Sequence, residues 1–181
     1  MARPYQPSLL RLLHGATALL VPLAWLTGLV VYSCYDGRFG RLPWFNAPGG
    51  TAAEWIDIHG TVGVLLWPVA LLFGLYALSA GRARLRQPAN ALALVALALA
   101  VGSGKLMQED WLRDGQLEPL VYSVHLLAWL LIAGAVAAHV GSVLRRGGVA
   151  LAASMASLRL RSGDLPGDWY AQIRRSLPLR R

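Results

Sequence analysis

Cysteine and charge are both scarce in this sequence, and each scarcity excludes a class of protein. The 181 residues include one cysteine, Cys34, so an intramolecular disulfide framework is excluded. No Cys-x-x-Cys-His motif occurs, which excludes covalent attachment of a c-type haem. Only 14% of the residues are charged, whereas 56% are hydrophobic. The few charges are confined to parts of the chain, and their placement indicates the class of fold.

Charge is completely absent from four long stretches, which are residues 12–35, 58–81, 87–104 and 119–144. Each has 18 to 26 residues, and about 20 apolar residues in a helix cross the roughly 30 Å hydrocarbon layer of a bilayer. Lipid offers no partners to open strand edges, and the alternating pattern of a membrane barrel is absent. The sequence therefore predicts an all-α integral membrane four-helix bundle and excludes a soluble globular domain. The expected helices are residues 9–33, 54–80, 89–106 and 120–145.

The chain divides at the glycine pair Gly147-Gly148, which is predicted to end the fourth helix. Residues 1–147 form the expected transmembrane domain, and residues 148–181 form a cytoplasmic basic tail. Within the tail, residues 149–161 have the composition of a segment that lies along the membrane interface. Residues 162–181 are expected to be exposed.

The isoelectric point near 10.6 is explained by membrane topology rather than by nucleic acid. With four spans, thirteen of the basic residues fall on the side that holds both termini and four on the other side. By the positive-inside rule, both termini are cytoplasmic. Neither stacked aromatic residues nor a groove-reading helix accompanies the basic residues, so we predict no nucleic-acid partner.

All four histidines of the chain lie in charge-free stretches: His14, His59, His125 and His139. An ionisable residue inside a membrane segment is expensive to bury and indicates a function by default. A single such histidine would be a hydrogen-bonded structural residue about as often as a functional one. The arrangement of all four favours a functional site.

Helical geometry sorts these histidines into two pairs at matching depths. His125 and His139 are 14 residues apart on the fourth helix, a rotation about 40° short of four turns and a rise of about 21 Å, so both face one way. The first helix enters from the inner side with His14 near its start, and the second enters from the outer side with His59 near its start. The predicted pairs are His14 with His139 on the inner side and His59 with His125 on the outer side.

Two imidazoles at each depth fit haem better than zinc. A structural zinc site needs four protein ligands, and no acid or cysteine lies at the required depth. Haem needs only two axial ligands, so the economical interpretation is two noncovalent, bis-histidine haems b, with the four histidines as ligands of the iron. Gly28, at outer depth on the first helix, would let the outer porphyrin approach, and Gly63 and Gly74 could relieve crowding on the second.

Each histidine ring also needs a hydrogen-bond partner that leaves Nε2 free for iron. We expect Nδ1–H to donate to the backbone carbonyl of residue i−4. The predicted acceptors are Leu10, Trp55, Val121 and Ala135 for His14, His59, His125 and His139, respectively.

These residues resemble the bacterial cytochrome b561 family, which is similar to the cytochrome b subunits of nickel-iron hydrogenases. The matching elements are Leu13-His14, Ile58-His59 followed by Gly63, and His125 with His139 at the fourteen-residue spacing, followed by Arg145-Arg146. The resemblance covers nearly all of residues 5–150. It implies a four-helix membrane cytochrome with two haems b that exchanges electrons with quinone, in the bacterial inner membrane or an equivalent energy-transducing membrane.

The chain departs from the family pattern in the second helix. Many members carry an arginine fourteen residues after the helix-two histidine, where this chain has Phe73. The candidates for holding the propionates of the inner haem are instead Arg11, Arg82 and Arg145.

The leading functional hypothesis is electron transfer between the quinone pool and another redox partner, within membrane lipid. The alternatives are a haem-bearing membrane anchor of a multi-subunit dehydrogenase or hydrogenase, and a superoxide oxidase that delivers electrons to quinone. In the latter, the basic residues of the outer loops would attract the anion: Arg38, Arg41, Lys105 and Arg113. The chain is thus either an electron-transfer protein or a quinone-linked oxidoreductase. A haem-free proton path or metal transporter is disfavoured because no carboxylate lies at depth.

Overall fold

The computed structural model describes residues 4–34, 42, 45, 48–108 and 118–176, and the described chain is helical throughout its regular structure. The helices are α1 (Ser8–Cys34), α2 (Ala52–Leu78), α3 (Pro88–Gln108), α4 (Glu118–Met155) and α5 (Trp169–Ser176), with 3₁₀ turns at Arg82–Arg86 and Pro166–Asp168. Arg38, Arg41 and Arg113, proposed above to attract an anion, lie outside the described residues.

Four of these helices, α1 to α4, are long and apolar enough to cross a membrane. Their outward surfaces carry large apolar side chains, such as Leu19, which is 71% exposed. An apolar surface of this kind is stable against lipid and unstable against water. The prediction of an all-helical protein with four candidate membrane spans is confirmed.

Local sequence signals place the helix ends within a few residues of the predicted ones. Thr51 and Glu54 form a capping box at the start of α2, in which each side chain accepts the other residue's backbone N–H. Pro88 opens α3, where its missing N–H costs nothing. Gly148 interrupts α4 with φ +60°, a conformation that favours glycine. The predicted break at the glycine pair is therefore present, but helical structure resumes after it and continues to Met155.

The bundle is built mainly from two helix pairs, α1 with α2 and α3 with α4. Its central core is a small apolar cluster made of Val21, Leu66, Ala96, Leu97, Ile132 and Ala135. Alanines at the contacts let the helices approach closely. The histidines lie on either side of this cluster along the bundle axis.

The chain after α4 folds back against the start of α1. Residues 156–176, called here the C-terminal cap, place Trp169 and Ile173 against a second apolar cluster of Leu9, Leu10 and Tyr76. Asp164 within the cap is buried. Most of residues 162–175 are exposed, as expected, but Asp164 is buried and the side chains that contact α1, Trp169 and Ile173 among them, are partly buried. Residues 177–181 lie outside the described residues.

Candidate haem site

The structure brings His59 of α2 beside His125 of α4. Their ring centroids are 6.1 Å apart, and the ring planes are inclined at 68°. The two helices run in from the same side of the bundle, so both residues lie near the end that was predicted to face outward. This is the outer pair.

The other two histidines also lie together, at the opposite end of the bundle. The ring centroids of His14 on α1 and His139 on α4 are 6.1 Å apart, with the planes inclined at 45°. Phe73 stands edge-on to the His14 ring at 6.2 Å. This is the inner pair.

The spacing in both pairs suits two imidazoles on opposite sides of one metal ion. An imidazole nitrogen bonds a metal at about 2 Å, so the two nitrogens lie about 4 Å apart and the ring centroids roughly 6 Å apart. The observed separations are 6.1 Å in both pairs. Within the described part of the chain, no group of three or more His, Cys, Asp or Glu side chains could hold a metal ion. The donor set therefore fits a haem iron, whose porphyrin supplies the remaining four ligands.

Hydroxyl groups on neighbouring helices orient the outer pair. Nδ1 of His59 is 3.0 Å from Thr27 Oγ1, and the Thr27 hydroxyl donates to the Leu23 carbonyl. Nδ1 of His125 is likewise 2.9 Å from Ser103 Oγ, whose hydroxyl donates to the Leu99 carbonyl.

A hydroxyl has one hydrogen, so an oxygen that donates to a carbonyl can only accept from the ring. When the two hydroxyls donate to these carbonyls, the matching tautomer of each outer histidine carries its proton on Nδ1 and leaves the Nε2 lone pair available for a metal.

In the inner pair, the side-chain amide of Asn90 orients the ring of His139. Nδ1 of His139 is 2.9 Å from Asn90 Oδ1. The Asn90 Nδ2 donates to the Arg84 carbonyl at 2.8 Å, which leaves its oxygen facing the ring. The His139 Nδ1 therefore donates, and its Nε2 is unprotonated.

These three contacts correct the predicted partners. The acceptors for His59, His125 and His139 are Thr27, Ser103 and Asn90, rather than the carbonyls of Trp55, Val121 and Ala135. The prediction was wrong because it considered only the helix that carries each histidine. A usable sequence signal was present: a hydroxyl residue followed by glycine in an apolar span occurs at Thr27-Gly28 and at Ser103-Gly104.

Two glycines make room for the outer histidine rings. A Cβ added to Gly28 would lie 3.2 Å from His59 Cε1, and one added to Gly104 would lie 3.1 Å from His125 Cε1. Gly28 thus admits the His59 ring itself, whereas the sequence suggested contact with a porphyrin. Sequence reasoning missed Gly104. Gly63 and Gly74 have no atom within 4 Å of an added Cβ among the described residues, so neither makes room for another side chain.

A cavity of about 1350 Å³ surrounds the outer pair. His59 and His125 line it, together with residues of all four spans, and its walls are mainly apolar. This volume exceeds the roughly 300–1000 Å³ of ordinary small-molecule pockets and is large enough for a cofactor of porphyrin size. Gly63 faces into this space, where a side chain would reduce the volume.

Two stacked indoles lie between the depths of the two histidine pairs. Trp25 of α1 and Trp129 of α4 are nearly parallel, at 5°, with ring centroids 4.8 Å apart. Each indole N–H donates to the backbone carbonyl of the other tryptophan, at 3.1 and 3.0 Å. The reciprocal bonds join α1 to α4 across the bundle and satisfy both polar groups in an apolar setting.

A comparison with protein families decides the identity of the chain. Residues 5–157 match the family model described as prokaryotic cytochrome b561. The chain belongs to the prokaryotic cytochrome b561 family. The match spans α1 to α4 and includes all four histidines. No match was found among curated proteins or among solved structures.

Membership of the cytochrome b561 family makes the chain a membrane cytochrome of the b type that takes part in electron transfer. Haem b is the cofactor that the family implies. The paired donors, the room at Gly28 and Gly104 and the large cavity all fit that group.

The three arginines considered for the inner propionates differ in their surroundings. Arg82 and Arg145 are exposed, whereas Arg11 is 7% exposed and lies one helical turn before His14. The Nη1 atom of Arg11 is buried and has no hydrogen-bond partner among the described residues. Among these three arginines, Arg11 is therefore the one whose buried guanidinium still lacks a hydrogen-bond acceptor in the described part of the chain.

Proposed function

We propose that this cytochrome b561 family member binds two haems b and transfers electrons across the membrane between quinone and a second redox partner. The proposal rests on the two histidine pairs, which lie at opposite ends of one bundle. In each pair the centroids of the two imidazole rings are 6.1 Å apart. His125 and His139, both on α4, are separated by a helical rise of about 21 Å. Two redox centres, one at each of these depths, would together span most of the hydrocarbon layer.

Side chains on neighbouring helices hold three of the histidine rings in place for the cofactor. Thr27, Ser103 and Asn90 keep the protons of three histidines on Nδ1, so that Nε2 is an unprotonated donor. The walls of the outer cavity are mainly apolar. A bound haem supplies the one-electron couple between ferric and ferrous iron.

Quinone enters this proposal through the family resemblance, and the opposite partner is a redox protein or a small acceptor. Co-purification of a soluble redox subunit would favour the membrane-anchor alternative. Superoxide-dependent quinone reduction that slows as ionic strength rises would favour the superoxide oxidase alternative, because electrostatic steering is screened by salt.

The proposal predicts a haem content of two per chain. The purified full-length protein, titrated with hemin until absorbance saturates, should give two haems b in the pyridine haemochrome assay. Acid acetone should extract both, since no Cys-x-x-Cys-His motif provides a thioether link. One haem or none per chain at saturation would contradict the proposal.

The orientation of the chain is a second prediction. Both termini should lie in the cytoplasm, because thirteen of seventeen basic residues fall on that side. A reporter that fluoresces only in the cytoplasm is expected to be bright when fused after Arg181. The matched fusion after Gly50, in the predicted outer loop, is expected to be dark. The opposite pattern would reverse the assignment of inner and outer pairs.

A further inference from the structure

Only one of the two terminal nitrogens of the buried Arg11 guanidinium has a hydrogen-bond partner among the described residues. Its Nη2 donates to the carbonyl of Arg159 at 2.7 Å, and its guanidinium carbon lies 5.2 Å from the centroid of the Tyr5 ring. Its Nη1 has no hydrogen-bond partner among the described residues. A buried guanidinium is costly without an anion, so this nitrogen indicates a missing acceptor.

The C-terminal cap supplies both the carbonyl that holds Arg11 and the cover above it. Arg159 contributes its backbone oxygen, and Arg161 places its guanidinium carbon 3.9 Å from the centroid of the Tyr5 ring. Nearly all of the cap follows residue 157, where the family match ends. The cap therefore lies almost entirely outside the part of the chain that matches the family.

Asp164 anchors the cap to α1. Its carboxylate accepts hydrogen bonds from the Tyr5 hydroxyl, from the Ser8 backbone N–H at 2.8 Å and from Gln172 Nε2 at 3.1 Å. The Ser8 hydroxyl lies within bonding distance of Asp164 as well, and it accepts the indole N–H of Trp169 at 2.8 Å. The start of α1 and the cap thus share one polar network, in which Ser8 and Asp164 are buried.

This network keeps the anchor ionised. Burial by itself would raise the pKa of the Asp164 carboxyl, but the hydrogen bonds from Tyr5, Gln172 and Ser8 more than offset it, so the pKa lies below its usual value. The hydrogen bond to Asp164 raises the pKa of the Tyr5 hydroxyl, which stays protonated and able to donate. The anchor is intact at neutral pH and weakens only as the pH falls through the lowered pKa of Asp164.

We propose that the C-terminal cap is part of the inner haem site, where it positions Arg11 to pair with a haem propionate. The inference rests on the two-haem function proposed above. Arg11 lies one turn before His14 and is buried, whereas Phe73, which stands edge-on to the His14 ring, carries no charge. A propionate carboxylate would give Nη1 the anionic hydrogen-bond acceptor that it lacks among the described residues. Asp164 acts through Arg11 and is a positioning residue.

A cation held beside the haem favours the reduced state, which carries one positive charge fewer than the oxidised state. Arg11→Gln should therefore lower the midpoint potential of the inner haem. Asp164→Ala removes a negative charge, which by itself would raise that potential. If Asp164 positions Arg11, however, Asp164→Ala should lower the inner potential, by at least half the shift seen with Arg11→Gln.

The test is a double-mutant cycle in the purified, haem-loaded, full-length protein, with potentials measured by redox titration of the absorbance. The wave that His139→Ala removes is assigned to the inner haem. Asp164→Ala should lower the inner potential only when Arg11 is present, and should not lower it further in the Arg11→Gln background. A rise in both backgrounds, or an equal fall in both, would overturn the proposal.

Asp168→Ala is the matched control. Asp168 lies on the same cap and carries the same charge, but its carboxylate accepts the backbone N–H of Leu165 within the cap. Its removal should leave the inner potential near that of the wild type. If Asp164→Ala changes the inner potential no more than Asp168→Ala does, the positioning role is wrong. Tyr5→Phe, which removes one hydrogen bond to Asp164, should lower the inner potential by a smaller amount and serves if Asp164→Ala fails to fold.

Limited trypsin digestion of the haem-free protein reports attachment of the cap separately. Cleavage after the exposed Arg159 and Arg161 should be at least about tenfold faster in Asp164→Ala than in wild type or Asp168→Ala, since hydrogen bonds to a charged group are lost. Unchanged cleavage would refute the anchor. If the wild type lacks a second haem wave, the two-haem function fails, whatever the protease shows. If that wave is present and the cycle is additive, only the role of the cap fails.

Discussion

His59→Ala and His125→Ala are each expected to remove the outer haem and to leave the inner haem in place, while His14→Ala and His139→Ala do the reverse. Within each pair the ring centroids are 6.1 Å apart, so both rings serve one site. The two histidines of α4 are separated by a rise of about 21 Å and serve different sites. Haem content should fall from two to one per chain in every variant.

The same four variants should all lose electron transfer from quinol to an acceptor on the opposite side of a proteoliposome membrane, because losing either centre interrupts the path. Leu127→Ala is a suitable control, since Leu127 is an exposed residue of α4 between the two histidines and should retain both haems. If His125→Ala and His139→Ala removed the same haem, the two-depth arrangement would be wrong. Full transfer with one haem missing would contradict the mechanism but not the sites.

Gly28→Val and Gly104→Val are expected to weaken binding of the outer haem by about tenfold to a hundredfold and to spare the inner haem, because overpacking of this kind costs about 1–3 kcal/mol. A Cβ at either glycine lies within 3.1–3.2 Å of a histidine ring carbon. The γ-methyl groups of valine would displace that ring and the Nε2 that it presents. Hemin titration of each purified variant measures the change.

Gly102→Val provides the matched control on α3, two residues from Gly104. No atom lies within 4 Å of an added Cβ at Gly102 among the described residues, and the residue is exposed. It should therefore bind both haems as the wild type does. Equal loss from Gly102→Val and Gly104→Val, or loss of the inner haem in Gly28→Val, would show that the glycines act through general helix packing.

The four spans and the depth of each histidine could be predicted from the sequence. Charge-free length sets the number of spans, and helical rise places His14, His59, His125 and His139 at two levels. The break in α4 at Gly148 was also predictable, since a glycine pair interrupts the apolar pattern. These properties depend on distance along a single helix, which the spacing of residues determines directly.

The partners of the histidines and the inner cap were decided by tertiary structure alone. Thr27, Ser103 and Asn90 meet their rings only because each helix is rotated about its axis in a particular way, and a period of 3.6 residues leaves the facing helix undefined. Asp164 lies in a polar, arginine-rich tail whose composition indicates exposure, yet it bonds Ser8 across 156 positions of sequence. Arg11 is likewise buried and donates to the carbonyl of Arg159 in the same tail. Rotation and long-range docking depend on how the surfaces of several helices fit together, whereas span length and depth are properties of one helix at a time.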